Sequence, residues 1–227
     1  MKIGILLSGC GVYDGVEIQE SVLSMLAVEE AGAEYQCISL NQNQYHVINH
    51  LTGDEMPENR NIMVEAARIA RGNVVDVSEV SPATLDGLII PGGFGSAKNF
   101  SKWAFSGPEG EISPEIKLLL VNLINAGKPI AALCVSPILI AKALEGSSIK
   151  TNLTLGNSKD KSPYTIADFH NGVEKTGAKS EEKSISEILI DSENKIITAP
   201  CYMFDATILE VKSNIDMAVK ALVDLVE

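Results

Sequence analysis

The sequence predicts an α/β fold, a mostly parallel sheet covered by helices on both faces. It reads as a single domain over residues 1–227 with a polar insertion near 150–185. Three observations predict this. Short apolar runs alternate with segments of helical spacing along the chain. Runs such as "KIGILL", "DGLII" and "PIAAL" are apolar at consecutive positions, as strands buried on both faces are. Gly-rich turn signals close several of these runs, and no repeat, linker or low-complexity tract separates them.

The elements follow in order. "KIGILLSG" is a strand ending in Gly; it is too short and too Gly-interrupted for the apolar core of a leader peptide. "VEIQESVLSMLAVEEAG" has helical spacing at Ile18, Val22, Met25 and Leu26, with Gly32 as its stop. "EYQCISL" is a second strand, and "NQNQYHVINHLTGDEMPENR" a polar functional loop or hairpin insertion. "NIMVEAARIARG" is a helix, and "LDGLIIPGGFG" a strand running into a Gly turn. "SPEIKLLLVNLINAGK" is a helix opened by Ser and Pro. "PIAALC" is a strand, "SPILIAKALEG" a helix, and "EILIDSENKIITAP" a hairpin turning near 192–194. "DMAVKALVDLVE" closes the chain as a helix.

Composition narrows the function. Asp and Glu total 30 against 18 Lys and Arg, a net charge of −12, and no basic cluster interrupts the acidity. Such a surface repels phosphate backbones and anionic lipid, so neither nucleic acid nor a membrane is an expected partner. No run is long enough to span a bilayer. Cysteines stand at 10, 37, 134 and 201, without CxxC pairs or Cys/His metal spacing. That pattern fits a reducing cytoplasm, and no metal or other cofactor is expected.

In an open α/β sheet, ligands bind beyond the carboxyl ends of the strands. Three unusual turns fall there: "SGCGVYDG", "PGGFG" and "CVSP". Cys134 lies between a strand and a helix whose start carries Ser136 and Pro137. There it is either a buried packing residue or a nucleophile at an elbow, its pKa lowered by the helix start. Gly92 and Gly93 can aim backbone N–H groups at an oxyanion, and Val135 N–H follows the thiol. Cys10, between two glycines, is expected near the pocket. Glu20 and Glu17, early in the first helix, are either proton shuttles or solvated surface groups. Cys37 reads as core, and Cys201 stays open. His46, His50 and His170 all lie in polar segments, none placed to serve Cys134 as a base.

Taken in order, "SGCGVYDG", "VINHLTG", "EAARIARG", "PGGFG", "AGKPI", "CVSP" and "NKIITAPCYM" resemble the ElbB-like group of the ThiJ/PfpI class I glutamine amidotransferase-like superfamily. Members are described as isoprenoid-biosynthesis or enhancing-lycopene-biosynthesis proteins. The likeness covers nearly the whole chain and is weakest at about 150–185. It implies a flavodoxin-like three-layer sandwich. It also implies an elbow nucleophile at Cys134, a carboxylate bonded to that thiol at Glu20, and an oxyanion turn at Gly92 and Gly93. Where amidase-type members place a His after the nucleophile, this chain has Val135, which weighs against amide hydrolysis. Members without that His are linked to glutathione-independent glyoxalase chemistry and to oxidative-stress sensing. The resemblance therefore points to a cofactor-free glyoxalase acting on a small dicarbonyl; the alternatives are a thiol-based regulator and an amidase-type hydrolase. Asn99 and His50, from the "AKN" and "INH" stretches, are expected at the pocket mouth, and a homodimer or larger homo-oligomer is expected.

Overall fold

A computed structural model describes residues 1–226. In chain order the elements are β1 (Lys2–Leu6), α1 (Ile18–Glu30), β2 (Glu34–Ser39), α2 (Ile62–Ile69), β3 (Val74–Asp76), β4 (Gly87–Ile90), α3 (Phe94–Lys98), α4 (Trp103–Ser106) and α5 (Pro114–Asn125). Then follow β5 (Ile130–Leu133), α6 (Pro137–Leu144), β6 (Asn152–Leu153), α7 (Ile166–Lys175), β7 (Lys179–Ser180), β8 (Leu189–Asp191), β9 (Ile196–Ala199) and α8 (Ile208–Val226). The last helix was expected to reach Glu227, which lies outside the described residues.

A seven-stranded sheet runs β3-β2-β1-β4-β5-β9-β8. Every neighbour pair in it is parallel except β8–β9, the hairpin read from the sequence. Helices α2, α1 and α8 pack along one face, with α3, α5 and α6 together on the other, which gives the flavodoxin-like three-layer sandwich. The central strands are buried along their length: Ile3, Ile5, Leu6, Leu88, Ile89, Ile90 and Ile130 are all fully inaccessible. Two helical faces and one sheet leave no solvated strand face, so the strands read as unbroken apolar runs.

The winding reverses between β1 and β4, because β2 and β3 are laid on one side of β1 and the later strands on the other. Loops leaving adjacent strands in opposite directions open a crevice at this switch point. The turns after β1, β4, β5 and β9 all meet there.

The structure departs from the sequence reading in three places. Ile18, Val22 and Leu26 were expected to face the core, yet they are exposed. The face of α1 that packs inward instead carries Glu20, Ser21, Ser24, Met25, Ala27 and Val28. The short β3, α3 and α4 were not foreseen, being too brief for a periodic pattern to develop. The start of the polar insertion is not surface: residues from Thr151 to Asn157 are buried except half-buried Asn152. Thr154 N–H donates to Thr198 Oγ1 at 2.9 Å and Asn152 N–H to Asp191 Oδ2 at 3.2 Å, tying this segment to the β8–β9 edge. His170 fastens the rest. Its Nε2–H donates to Gly156 O at 3.1 Å, which leaves Nδ1 to accept from the Ser180 hydroxyl.

Candidate active site

Cys134 sits one residue past β5 with φ of +57°, the left-handed region that a side chain rarely adopts. The strand holds it there: its N–H donates to Ala199 O of β9 at 2.8 Å. The chain then turns at once, with Ser136 N–H on Leu133 O and Ser136 Oγ on Pro91 O at 2.7 Å, and enters α6 at Pro137. This strand–turn–helix corner has the geometry of a nucleophile elbow, with backbone strain held at Cys134.

Glu20 reaches the corner from the first turn of α1 and is completely buried. Gly92 N–H donates to its Oε2 at 2.7 Å and Tyr202 N–H to its Oε1 at 3.3 Å. The Cys134 thiol lies beside the same carboxyl, and each shifts the other's titration. Gly92 is needed here for want of a side chain, since a Cβ would lie 2.4 Å from the Cys134 Cβ and 2.8 Å from Glu20 Oε2. Gly93, at φ +99°, has equally little room: a Cβ would stand 2.5 Å from Glu17 N. The Gly92 N–H is thus taken by Glu20, and the N–H groups directed at the sulfur are those of Val135 and Gly93.

Burial dominates the electrostatics. It pushes the Glu20 carboxyl up to about 8, with the Glu17 charge adding to the rise and the Gly92, Tyr202 and Cys134 hydrogen bonds opposing it. The Cys134 thiol is raised well above its ordinary value, first by burial, then by the Glu20 and Cys201 charges; the Val135 and Gly93 N–H groups pull the other way. The expectation that the helix start would lower this thiol is corrected. Cys134 is 5% exposed, and losing water outweighs the partial charge of one short helix end. The resting pair at neutral pH is a thiol beside a largely protonated carboxyl.

Two cavities lie above this corner, and Cys134 lines the inner one while Glu20 stays buried behind it. The inner one, lined by Cys134, Val135, Gly93, Glu17, Phe94 and Tyr164 among others, measures about 20 Å³, room for about one water molecule. It forms the floor of an outer cleft of about 950 Å³ that shares Val12, Glu17, Phe94, Tyr164 and Tyr202 with it. Half-buried Glu17 therefore faces both cavities. It caps α1 by accepting the Glu20 N–H at 2.6 Å, and burial raises its carboxyl too. Tyr164 and Phe169 come from the insertion. Nothing in that polar stretch marks them, because their place depends on how the insertion folds back.

The other expected residues lie elsewhere. His50 Nδ1 donates to Ile48 O at 3.0 Å and its Nε2 accepts Tyr13 N–H at 3.2 Å. Asn99 donates to Ser8 O and Asp14 O at 2.9 and 2.8 Å and accepts Tyr45 N–H. Both side chains are spent on loop backbone, and neither lines the cavities; the early loop borders the cleft through Ile48 and Gly53. Cys10, half-buried, is raised by burial and then by the Glu65 charge of α2, and it too lines neither cavity. Cys201, fully buried, donates its thiol to Asn214 Oδ1 at 3.5 Å.

No protein-family model matches the chain. It is 36% identical over 228 residues to human glutamine amidotransferase-like class 1 domain-containing protein 3, mitochondrial, across 99% of this chain and 83% of that one. The rat mitochondrial ES1 protein homolog is 35% identical over 99% of this chain and 84% of its own length. A crystal structure of an isoprenoid biosynthesis protein with an amidotransferase-like domain from Ehrlichia chaffeensis superposes with a TM-score of 0.90, at 32% identity over 100% of both chains. The chain belongs to the ElbB-like group of the class I glutamine amidotransferase-like superfamily. Drosophila melanogaster DJ-1beta, 16% identical with a TM-score of 0.54 over 99% of this chain and 97% of its own, shares the fold. The resemblance drawn from the sequence blocks, weakest at about 150–185, and the three-dimensional likeness over 100% of the chain point to the same group. Among the described residues, no helix is long and apolar enough to cross a membrane.

Proposed function

We propose that this ElbB-like protein is a cofactor-free glyoxalase that converts methylglyoxal or glyoxal with water to lactate or glycolate. The observation that carries the reading is Cys134 on the wall of a small cavity, backed by buried Glu20, with the Val135 and Gly93 N–H groups at the sulfur. A thiol, one proton carrier and two oxyanion donors suffice for this chemistry.

In the first step the Glu20 carboxylate takes the thiol proton as sulfur bonds to the aldehyde carbon, and the two N–H groups hold the developing oxyanion. Protonation of that oxygen by Glu20 gives a hemithioacetal. Glu20 then removes the proton from the former aldehyde carbon and returns it to the neighbouring carbon through an enediol, leaving a thioester of the 2-hydroxy acid. Water attacks the thioester carbonyl, the C–S bond breaks, and Cys134 regains its proton. Glu17, at the mouth of the same cavity, is suited to take a proton from that water.

The alternatives fare less well. A thiol raised by burial is a slow target for peroxide, which weighs against a stress sensor. Val135 in place of an imidazole weighs against an amidase. A part in isoprenoid metabolism and a homo-oligomer belong to the proposal through the family, and a reducing cytoplasm through the cysteine pattern; static light scattering giving a monomer mass would remove the homo-oligomer. The deciding experiment is steady-state turnover of methylglyoxal and glyoxal by the wild type, Cys134→Ala and Glu20→Gln. Product formation lost in both variants supports the glyoxalase. Equal rates in Cys134→Ala, or none in the wild type, rejects it.

A further inference from the structure

The two cavities differ greatly in size, and the difference bears on the substrate. The inner cavity is about 20 Å³, while the cleft above it is about 950 Å³, the scale on which clefts enclose whole drug-sized ligands. A two- or three-carbon dicarbonyl overflows the inner cavity yet leaves most of that cleft empty. Its walls are aromatic where it meets the inner cavity, at Phe94, Tyr164 and Tyr202. Farther out it holds two cations. Lys161 is paired with Asp205 in a salt bridge. Lys98 is different: half-buried, its ammonium donates to Tyr13 O at 2.8 Å and stands 5.4 Å from the centroid of the Phe94 ring. The tie to Tyr13 takes one of its three protons.

Phe94 and Lys98 are the two ends of α3, four residues apart and so stacked on one side of the helix. Phe94 lines both cavities and Lys98 the outer one. A molecule with its carbonyl at Cys134 that runs outward over the Phe94 ring thus arrives at the ammonium. Resting on the glyoxalase reading, we propose that the physiological substrate is a 2-oxoaldehyde with an apolar body and an anionic far end, carboxylate or phosphate, and that Lys98 selects it. The anion and the reacting carbonyl are separated by at least the span of the Phe94 ring. Charge-assisted bonds from a half-buried ammonium give such selection its strength.

The test compares phenylglyoxal with 4-carboxyphenylglyoxal and its 4-phosphonooxy counterpart. In the wild type, kcat/KM for one of the anionic compounds exceeds that for phenylglyoxal by about tenfold or more. Lys98→Met collapses this ratio and Lys98→Arg retains most of it. The two anionic arms tell a carboxylate substrate from a phosphate one. A wild-type ratio near one for both anions, or a Lys98→Met loss equal for all three compounds, overturns the proposal; the latter marks Lys98 as an anchor of the Tyr13 loop alone. Calorimetry on Cys134→Ser with unreactive 4-acetylbenzoate and its methyl ester separates this inference from the glyoxalase itself. Preference for the acid that Lys98→Met abolishes, in a protein that turns over no dicarbonyl, leaves the anion subsite standing and removes the reaction. Turnover of methylglyoxal with no anion preference in either assay does the reverse.

Discussion

On the proposed glyoxalase reading, one carboxyl at the Cys134 corner governs both the chemistry and its pH dependence. Glu20 must be ionised to take the thiol proton, and its pKa is about 8. Activity on dicarbonyls should therefore rise with pH through about 8, with an apparent pKa that belongs to the Glu20–Cys134 pair. Glu20→Gln should lower kcat/KM by about 10²-fold or more and erase that limb. Glu17→Gln keeps an oxygen to cap α1 but removes a charge that raises Glu20, so the limb should move to lower pH; an unmoved limb would mean that the two carboxyls are uncoupled. Stability carries the opposite sign. With its folded pKa raised above the ordinary value, Glu20 binds more protons in the native than in the unfolded chain between about pH 4.5 and 8. Its contribution is thus full below about 4.5 and is lost as pH rises through about 8, on the order of a few kcal/mol. Urea titrations at pH 5 and 9 should show this loss in the wild type and a smaller one in Glu20→Gln. Thiol reactivity follows from burial as well. Limiting iodoacetamide at neutral pH should modify half-buried Cys10 before Cys134, as peptide mapping would show; early labelling of Cys134 would mean that its thiolate is populated at rest.

Among the elements, α1 has its apolar stripe on the side away from the sheet. Ile18, Val22 and Leu26 are exposed, while Ser21, Ser24 and Glu20 are buried. The inward face mixes small Ser21, Ser24 and Ala27 with Met25 and Val28, because α1 lies close to the sheet and α8 and its first turn brings the Glu20 carboxyl to Cys134. Val22→Ser should then change stability by less than about 0.5 kcal/mol, whereas Met25→Ala should cost about 2 kcal/mol. Chemical denaturation of both variants checks this. A large loss from Val22→Ser would show that the stripe is covered in solution.

For the molecule as a whole, the question is whether the 150–185 insertion is part of one cooperative unit. Its α7 lies against Trp103, so closely that a Cβ on Gly172 would stand 2.8 Å from Trp103 Cζ2. Trp103 is the chain's one tryptophan, so its fluorescence reports whether the insertion is seated. Because the insertion also supplies Tyr164 and Phe169 to the site, unseating it should open the inner cavity. In urea, Trp103 fluorescence and far-UV circular dichroism should follow one transition, as they do for a single cooperative unit. Two separated transitions would make the insertion a domain of its own. Gly172→Leu should destabilise by about 1–3 kcal/mol through overpacking at this contact.

The layered fold was legible because its determinants are local and repeated. Apolar runs such as "GLII" and "IAAL" have both faces covered, and the Gly turns and Ser-Pro helix starts punctuate them. The strand-to-helix corner at Cys134 was legible for the same reason, since a cysteine between a buried strand and a Pro-marked helix start is a local pattern. Contacts between distant segments were decided by the tertiary structure. Which face of α1 turns inward depends on what lies beneath it, and the helical spacing of Ile18 and Val22 pointed the wrong way. The state of the Cys134 thiol depends on how much water the corner excludes, and no residue type records that. Glu17, Tyr164 and Lys98 stand in polar or Gly-rich stretches, and they reach one cleft only because the ends of β1, β4, β5 and β9 converge where the sheet reverses its winding.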